Sequence, residues 1–587
     1  MILTIVRGAR VLAGLSAALA LLAGAWPAPA RADDGSGVAR ISSLNGTVTM
    51  QRADSGDTVA AAINAPVSVG DYISTGQASR TEVQLDAANF VRVGSSSQLR
   101  FTNLDPTDST LQVAQGTIEV RVLDVTGDRP LVQTPSIGIR PAVAGRYRIN
   151  VTNDGDTLVS VRSGSATLVS PLGSQTIATG TTVMVSGSSS NPQVSTVANI
   201  AYDDFDSWNS QRDQFVAAAA GDPYANTGIP GLADLDSYGH WVSYPSYGQV
   251  WVASSYPANW APYQDGRWVW QPYYGWTWVG YEPWGWAPYH YGRWFYAQRI
   301  GWAWYPGPVY VRPVYRPALV AFFGFGGGGS GFSFNLSFGN VGWVPLAPYE
   351  SYHPWWGPGY VNRTTVVYNY TNVTNITNVN ITKIYRNAAV PHAVSAVSTT
   401  NFTNGGAYHY VPVNDQDLHN AALVRSALPV VPTKQNLSYT NWSSGHVASG
   451  APLSSHFSKL PPPKTLPPTF AQQRSTVQTV AQHVYPGAVT NGTALDKVNT
   501  TTHAPSSAWD RFNNPNPANG ANASHTNSYS PNTYKGNTTW NASGQPKGTG
   551  GSGSGGSGSG GSGGHKTTKT HTNTKPAPVH TPKPSKA

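Results

Sequence analysis

One short run of the sequence brings together side chains that could recognise a ligand. The stretch Trp286 to Trp294 reads WAPYHYGRW, so rings, an imidazole and a guanidinium fall close together. Aromatic faces stack on the apolar faces of sugar rings, a histidine changes charge near neutral pH, and an arginine donates several hydrogen bonds from one plane. This chemistry predicts a glycan-binding site formed by Tyr289, His290, Tyr291, Arg293 and Trp294.

Signatures of catalysis are missing from the sequence. It contains no cysteine, which excludes thiol nucleophiles and cysteine-bound metals. The G-x-S-x-G pattern occurs only in the Gly/Ser run 550–564, without the strand–turn–helix context of a nucleophilic serine. His240, His290 and His353 are too far apart to suggest a metal site, and a neutral, hydrogen-bonded histidine is the simpler interpretation. We therefore expect no enzymatic activity, no cofactor and no metal.

The candidate cluster belongs to an internal repeat. Trp260-Ala-Pro-Tyr263 returns 26 residues later as Trp286-Ala-Pro-Tyr289, and Gly266-Arg-Trp268 returns with the same offset as Gly292-Arg-Trp294. Each copy also carries two tryptophans ten residues apart. Side chains at i and i+2 share one face of a strand, so each copy predicts a small antiparallel β-hairpin held by cross-strand aromatic pairs.

Most of the rings in this repeat are expected to be buried. Twelve tryptophans lie between residues 241 and 304, and soluble proteins seldom expose apolar patches larger than a few hundred Å². An isolated hairpin is only marginally stable, so the copies should stack on each other. Two interpretations stay open: the tryptophans are structural throughout, or a subset near Tyr289 to Trp294 forms a stacking platform. We assign residues 222–350 to this Trp/Tyr-rich domain.

The preceding part of the chain has the pattern of a β domain. Short alternating runs such as Gly116 to Val122 and Tyr147 to Val151 are separated by turn residues, which predicts an all-β domain over 33–190. The runs ARISSLNG, Ala39 to Gly46, and PVSVGDYISTG, Pro66 to Gly76, resemble the opening and the "GD.i.TG" turn of the FecR domain, a periplasmic signalling domain. This resemblance implies a β domain that receives a partner protein.

A single amphipathic helix is expected between the two domains, over 199–221. Asp203 or Asp204 can cap its N-terminus, and Gly221-Asp222-Pro223 ends it. We interpret it as a connector packed against a neighbouring domain. Its apolar stripe consists of Phe205, Trp208, Arg212, Phe215 and Val216.

The Trp-rich region also resembles a known family. The run PWGWAPYHYGRW, Pro283 to Trp294, and the run GWVPLAP, Gly342 to Pro348, are similar to a Trp/Tyr-rich family of exported proteobacterial proteins of unknown function. Members of that family often follow a FecR-like domain. The resemblance places the protein in the cell envelope without implying an activity.

The N-terminus resembles a secretory signal, which we assign to residues 1–32. Arg7 and Arg10 flank an apolar run, and Ala30-Arg31-Ala32 fits the A-x-A rule, so cleavage is expected before Asp33. This predicts an exported protein, periplasmic, on the cell surface or secreted, without an integral membrane segment in the mature chain. FecR-type sigma-factor regulators carry a membrane span before this domain, so its reuse as a binding module is favoured over sigma-factor control.

The C-terminal part is dominated by polar and small residues. Residues 351–400 are rich in Asn and Thr and are expected to be extended, because helix propensity is poor there. Residues 401–587 are expected to be disordered, with a Gly/Ser linker and a basic tail. The formal charge of +9 arises mostly at the two ends, leaving 33–510 close to neutral, so no nucleic-acid partner is expected.

Together these patterns predict a mainly β protein. It has an N-terminal FecR-like domain, a connecting helix, a Trp-rich repeat of antiparallel hairpins and a long disordered C-terminal region. The preferred function is a non-catalytic envelope protein that binds or scaffolds cell-wall glycans, exopolysaccharides or envelope proteins. The alternative is a periplasmic signalling accessory whose FecR-like domain receives a partner protein. The sequence does not indicate an oligomeric state.

Overall fold

The computed structural model describes residues 37–484 apart from 126, 128, 309–313, 327–338, 354–359, 363–364, 368–375, 406–407, 426–427, 441–456, 458 and 465. The predicted signal peptide, Gly/Ser linker and basic tail lie outside the described residues. Antiparallel sheets dominate and the helices are short, which confirms the predicted mainly β fold.

The N-terminal domain is a β-sandwich of seventeen strands. Its first layer runs β4-β1-β6-β7-β9-β12-β13-β16-β17, and its second runs β3-β2-β5-β8-β9-β10-β11-β14-β15. The strands are β1 (Ala39–Asn45), β2 (Val48–Gln51), β3 (Thr58–Ala60), β4 (Pro66–Val67), β5 (Tyr72–Thr75), β6 (Arg80–Gln84), β7 (Asn89–Val93), β8 (Gln98–Asp105), β9 (Asp108–Val122), β10 (Leu131–Gln133), β11 (Gly138–Pro141), β12 (Gly145–Val151), β13 (Thr157–Ser163), β14 (Ser165–Ser170), β15 (Gly173–Ala178), β16 (Thr182–Ser188) and β17 (Asn191–Val197).

The long strand β9 belongs to both layers. Its first half pairs with β8, and its second half, from Gly116, pairs with β7 and β12. Gly116 has φ +91°, and a Cβ there would lie 2.5 Å from the Cα of Ser97. A glycine is therefore required where the strand passes from one layer to the other.

Aliphatic side chains form the core of the sandwich. Val83, Ile118 and Ile149 of the first layer meet Leu99 and Ile139 of the second layer, and all are buried. The alternation of each strand turns its other side chains outward. On the first layer those outward residues are charged, and a helix covers them.

That helix is α1 (Asp204–Ala218), within the segment 199–221 where the sequence predicts a connector. The Asp203 side chain accepts hydrogen bonds from the backbone N–H groups of Phe205 and Asp206, and Asp206 completes a capping box. Of the two candidate N-cap residues, Asp203 is therefore the one that caps the helix. The helix lies on the sandwich, with Trp208 and Arg212 buried.

The Trp-rich domain consists of hairpins, as its repeat predicts. Tryptophans ten residues apart are cross-strand partners in three of them: Trp241 with Trp251, Trp268 with Trp278, and Trp294 with Trp304. The hairpins are β18 (Gly239–Tyr244) with β19 (Gly248–Ala253), β20 (Gly266–Gln271) with β21 (Gly275–Gly280), β22 (Arg293–Ala297) with β23 (Gly301–Tyr305), and β24 (Val320–Phe325) with β25 (Asn340–Pro345). The short helix α2 (Trp286–His290) precedes β22.

The glycine before each Arg-Trp pair packs under an indole ring. A Cβ at Gly266 would lie 2.6 Å from the ring of Trp278, and one at Gly292 would lie 2.6 Å from Nε1 of Trp304. Only Gly292 has a positive φ, +64°. Close approach of the ring therefore explains why both copies of the repeat carry a glycine at this position.

The hairpin β20–β21 forms a wall shared by the two domains. Its tryptophans, including Trp268 and Trp278, point into the aromatic core. Val269 and Val279, on the opposite face, belong to the aliphatic core of the sandwich. The boundary drawn between 33–190 and 222–350 therefore separates units that share a packed interface.

The segment predicted to be disordered from residue 401 is ordered in several described stretches. Leu423 is buried within the short apolar run Ala421–Val424, and Leu437 and Tyr439 are buried although their neighbours in sequence are polar. Such short stretches carry no periodic signal, because their structure depends on packing against distant parts of the chain. The remaining elements are β26 (Tyr360–Asn362), β27 (Thr365–Val367), β28 (Ile376–Val379), β29 (Ser395–Ser398), β30 (Ala421–Val424), α3 (Thr399–Asn404), α4 (Asp415–His419) and α5 (Phe470–Val484).

The predicted extended segment 351–400 is extended only in part. It contributes β26 to β29, but two 3-10 turns, Ile381–Lys383 and Arg386–Ala389, interrupt it. Strands β28, β30, β24, β25 and β29 form one five-stranded antiparallel sheet in that order. The end of the Trp-rich domain and the polar C-terminal segment are therefore one structural unit.

Candidate functional site

The cluster predicted to bind a glycan lies inside the aromatic core. Tyr289 and His290 end α2, Tyr291 follows it, and Arg293 and Trp294 begin β22. Tyr289, His290, Tyr291 and Trp294 are each at most 7% exposed, and Arg293 is half-buried. The structure thus places the cluster in a packed core instead of on a surface, which removes the open face needed to stack on a sugar.

Three side chains of this cluster make hydrogen bonds inside the fold. The Tyr289 hydroxyl donates to Oε1 of Glu282 at 2.6 Å, and Nε1 of Trp294 donates to the carbonyl of Pro288 at 2.9 Å. The ring of His290 pairs through Nδ1 with the carbonyl of Arg316 at 2.7 Å. Burial lowers the pKa of His290 to about 3, so its imidazole is neutral at physiological pH and does not act as a switch.

Arg293 is also used within the fold. Its Nη1 donates to the carbonyl of Gly292 at 2.8 Å, and its Nη2 donates to the carbonyl of Glu350 at 3.3 Å. Nε1 of Trp304 donates to the carbonyl of Tyr291 at 2.9 Å. The bonds with Glu350 and Trp304 link the turn to later segments of the chain, which is a structural role.

The outer face of the first sandwich layer is the most charged part of the described structure. Glu82, Arg92, Glu119 and Arg148 lie side by side across β6, β7, β9 and β12. Nε of Arg92 lies 2.8 Å from Oε2 of Glu82, and helix α1 adds Nη2 of Arg212 at 2.8 Å from Oε1 of the same carboxylate. Burial alone would raise the pKa of Glu82, but Arg212 and Arg92 outweigh it and hold the pKa below its usual range.

The N-terminal turn of α1 completes this face. The buried carboxylate of Asp206 meets Nη1 of Arg148 at 2.5 Å and Nη2 of Arg162 at 2.8 Å. Asp213, about two helical turns further along, lies 2.7 Å from Nη2 of Arg92. The helix thus supplies carboxylates to a sheet surface that is mostly basic. The charged face is therefore covered, and its charges are paired, by a segment of the same chain.

The sandwich leaves its last strands open instead. Among the described residues, β15 pairs only with β14, and β17 pairs only with β16. These strands are the final members of the second and first layers, so both sheets end at the same end of the domain. We call β14 to β17 the open edge.

The open edge has no charged side chain. The sequence contains no Asp, Glu, Lys, Arg or His between Arg162 and Asp203. Exposed apolar residues lie there: Leu172, at the β14–β15 turn, is 71% exposed, and Val194 on β17 is 38% exposed. Soluble proteins usually protect free edges with lysines, bulges or covering segments. Pro192 near the start of β17 is such a device at one position, but the five residues after it have none.

The absence of charged residues between Arg162 and Asp203 can be read from the sequence. The sequence does not show that the strands of this stretch lie at the edge of a sheet. A polar, uncharged run of alternating residues predicts strands without saying which of them lack a neighbour. That depends on the order of strands in the two layers, which is a property of the folded chain.

Comparisons with known protein families match the N-terminal β domain and the Trp-rich domain separately. Residues 71–167 match the family described as FecR protein, and residues 232–350 match a family of unknown function, DUF6600. The chain therefore contains a FecR domain followed by a DUF6600 domain. The open edge lies largely beyond the FecR match, and the five-stranded sheet continues beyond the DUF6600 match. A search of curated proteins found no match.

Two crystal structures, at 2.50 and 1.65 Å resolution, also match part of the chain. Both are of a proposed anti-sigma factor from Parabacteroides distasonis ATCC 8503, with sequence identities of 17% and 16%. Each alignment covers 22% of this chain and 60% of that chain, with a TM-score of 0.20. The chain thus spans about 60% of the solved protein that it matches.

Proposed function

We propose that this protein is an exported, non-catalytic envelope protein whose FecR domain receives a partner protein at the open edge. The FecR match supports a role in protein partnership. The observation that carries the proposal is that β15 and β17, the last strands of the two layers, are uncharged and each pairs with a strand on one side only among the described residues. The burial of Tyr289 to Trp294 favours this function over glycan binding by that cluster.

Strand addition explains how such an edge would act. An extended segment of the partner would pair with the backbone of β17, and its inward side chains would pack beside Val194. Backbone hydrogen bonds supply affinity, and the absence of charge on the edge favours a partner segment that is also uncharged. A lysine introduced on the edge would need to keep its charge in water, which opposes pairing.

Export to the envelope is part of the same proposal. None of the described helices is both long and apolar enough to span a bilayer. Cell fractionation with antibody detection tests the location, and release of residues 1–32 is expected in the mature protein. Recovery of the uncleaved chain in the cytoplasm would contradict this part of the proposal.

Site-specific photo-crosslinking tests the edge. A photoreactive residue at Thr196, which is exposed on β17, should label a partner in intact cells. Val194→Lys should reduce that labelling by about tenfold or more, the change that ~1.4 kcal/mol of binding free energy produces. The matched control is Val125→Lys, because Val125 is a valine of similar exposure, 40%, in the same domain but away from the edge.

The outcomes separate the alternatives. Labelling that is lost in Val194→Lys and kept in Val125→Lys supports the open edge as the partner site. Labelling of a second copy of this chain would replace the partner protein with a symmetric dimer and contradict the proposed binding of a partner protein. Labelling that is absent, or equal in both variants, would contradict strand addition at β17.

A further inference from the structure

A cleft lies at the edge of the five-stranded sheet, away from the FecR domain's open edge. Its volume is about 650 Å³, within the range of roughly 300–1,000 Å³ that is usual for small-molecule sites. Strand β29 and the chain before it form one wall, and the segment 410–413 with the start of α4 forms another. Side chains that line the cleft include Asn259, Gln264, His392, Ser395, Tyr410 and Asp415.

One buried group in this cleft lacks a partner. Ser395 is 3% exposed, and its hydroxyl makes no hydrogen bond within the described part of the chain. Buried hydroxyls are normally satisfied, because an unsatisfied one costs about 1–3 kcal/mol. A ligand that donates to or accepts from Ser395 would remove that cost, so this residue points to an occupant.

The walls of the cleft are braced before any ligand arrives. The Gln264 side chain donates to the carbonyl of His392 at 2.8 Å and accepts from the backbone N–H of Ala261 at 3.0 Å. The Tyr410 hydroxyl donates to the carbonyl of Gln264 at 2.5 Å. His392 also holds a left-handed backbone conformation, φ +62°, which costs free energy in a non-glycine residue. Such bracing lowers the ordering cost of binding.

The chemistry of the lining restricts the ligand. Neither lysine nor arginine lines the cleft among the described residues, so nothing there would neutralise a phosphate or a carboxylate. Hydroxyls, amides, an imidazole and one carboxylate alternate with aliphatic surface from Val390, Pro391 and Val411. Tyr410 is 42% exposed, which leaves part of its ring free. This mixture matches a neutral sugar, which has hydroxyls around its rim and apolar C–H groups on its faces.

We propose that this cleft binds one or two neutral sugar units of an envelope polysaccharide. The Tyr410 ring stacks on a sugar face, and the Ser395 hydroxyl and the Asn259 amide bond to sugar hydroxyls. Asp415 accepts from a further hydroxyl. The ligand class is the one that the Trp-rich sequence suggests, but its site lies in the polar segment around residues 390–415 instead of in the aromatic turn.

Binding is tested with the full mature chain and two soluble disaccharides, cellobiose and N,N′-diacetylchitobiose. The two probes differ in the substituent at C2, so they separate a hexose site from an N-acetylhexosamine site. Saturable binding of at least one probe is expected in calorimetry or saturation-transfer NMR. Absence of binding by both probes at concentrations up to about 10 mM, where even a free energy near −3 kcal/mol would be seen, overturns the proposal.

Variants locate the bound sugar. Tyr410→Ala should weaken binding by about tenfold, because a stacked ring contributes roughly 0.5–1.5 kcal/mol beyond its buried area. Tyr410→Phe should keep most of it, since the ring remains. Ser395→Ala should also weaken binding without unfolding the protein, since its hydroxyl makes no bond within the described fold.

Matched controls make the result decisive. Tyr296→Ala removes a ring of similar exposure, 46%, on β22 and should leave binding unchanged. Equal losses for Tyr410→Ala and Tyr296→Ala would overturn the assignment of the cleft. Val194→Lys should not affect sugar binding, and Tyr410→Ala should not affect crosslinking from Thr196, so the two proposals can fail independently.

Discussion

The FecR domain and the Trp-rich domain build their cores in opposite ways. The FecR domain has two continuous hydrogen-bonded layers, so small aliphatic residues such as Val83 and Ile118 fill the space between them. The Trp-rich domain has hairpins of five or six residues per strand, and only the pair Trp251 and Trp304 connects its first and third hairpins by strand pairing. Contacts between side chains therefore have to hold the hairpins of this domain together.

Many of these contacts are made by the indole groups of tryptophans. Nε1 of Trp251 donates to the carbonyl of Leu235, Nε1 of Trp343 to that of Tyr263, and Nε1 of Trp304 to that of Tyr291. The Trp343 bond joins the fourth hairpin to the segment before the second hairpin, and the other two bonds tie a hairpin to the residues just before it. A large ring fills the gap between short strands, and its N–H satisfies a backbone carbonyl there. The comparison shows that tryptophan density can reflect how little sheet a domain has, without any ligand.

The largest expected effect comes from removing one of these indoles. Trp304 is fully buried, and it pairs with Trp294 and Trp251 across neighbouring strands. Trp304→Ala should lower the free energy of unfolding by about 3–5 kcal/mol, through the cavity and the unsatisfied carbonyl of Tyr291. Urea denaturation followed by tryptophan fluorescence measures the loss.

Two further variants sharpen this comparison. Ile149→Val, in the aliphatic core, should cost only about 0.5–1.5 kcal/mol because the continuous layers remain. Tyr296→Ala, on the same hairpin as Trp304 but exposed, should stay within about 0.5 kcal/mol of the wild type. If Trp304→Ala costs no more than Ile149→Val, the indoles do not hold the hairpins together.

The two regions should also differ in their response to pH. In the FecR domain, Arg212 and Arg92 hold the pKa of Glu82 below its usual range, so its contribution is present above pH ~4.3 and is lost as the pH falls through the lowered pKa. In the Trp-rich domain, burial and the charge of Asp265 raise the pKa of Glu282 to about 8. Its ionisation therefore disfavours the folded state increasingly from pH ~4.3 up to about 8.

Glu282→Gln isolates the second effect. Glutamine keeps the carbonyl oxygen that accepts from Tyr289 and Trp260, and it does not ionise. Stability at pH 4 should be nearly unchanged, whereas at pH 9 the variant should be more stable by a few kcal/mol. Burial raises the pKa of Asp71 to about 7. Asp71 therefore changes stability with pH by the same amount in the wild type and in Glu282→Gln. A difference between variant and wild type that does not grow with pH would contradict this role of Glu282.

The hairpins were predictable because their signal is local and repeated. The 26-residue offset fixed the register, and the ten-residue spacing of Trp268 and Trp278 corresponds to cross-strand partners. Strand β30 was not predictable, because Ala421 to Val424 carries no period and pairs with β24 and β28 from distant parts of the chain. A four-residue strand acquires its structure from the sheet that it joins.

The residues of the proposed sugar cleft were harder to predict than the fold. Tyr289, His290 and Arg293 are residue types that could bind a sugar, but residue type does not show whether a side chain is exposed. In the folded chain these side chains form hydrogen bonds within the protein. Ser395 and Tyr410 come from a segment whose composition indicated disorder. Only the fold brings them together in one cleft.

The smallest expected effect concerns the helix that closes the charged face. Asp203 caps α1 with two backbone hydrogen bonds, each 3.0 Å long, and also meets Nη2 of Arg148 at 2.7 Å. Because its side chain is half exposed, Asp203→Ala should cost only about 1 kcal/mol, within the roughly 0.5–2 kcal/mol of an N-cap. Hydrogen exchange in α1 measures it. Asp204→Ala is the matched control, since Asp204 makes neither cap bond; equal exchange rates in the two variants would show that the cap does not fix the helix to the sandwich.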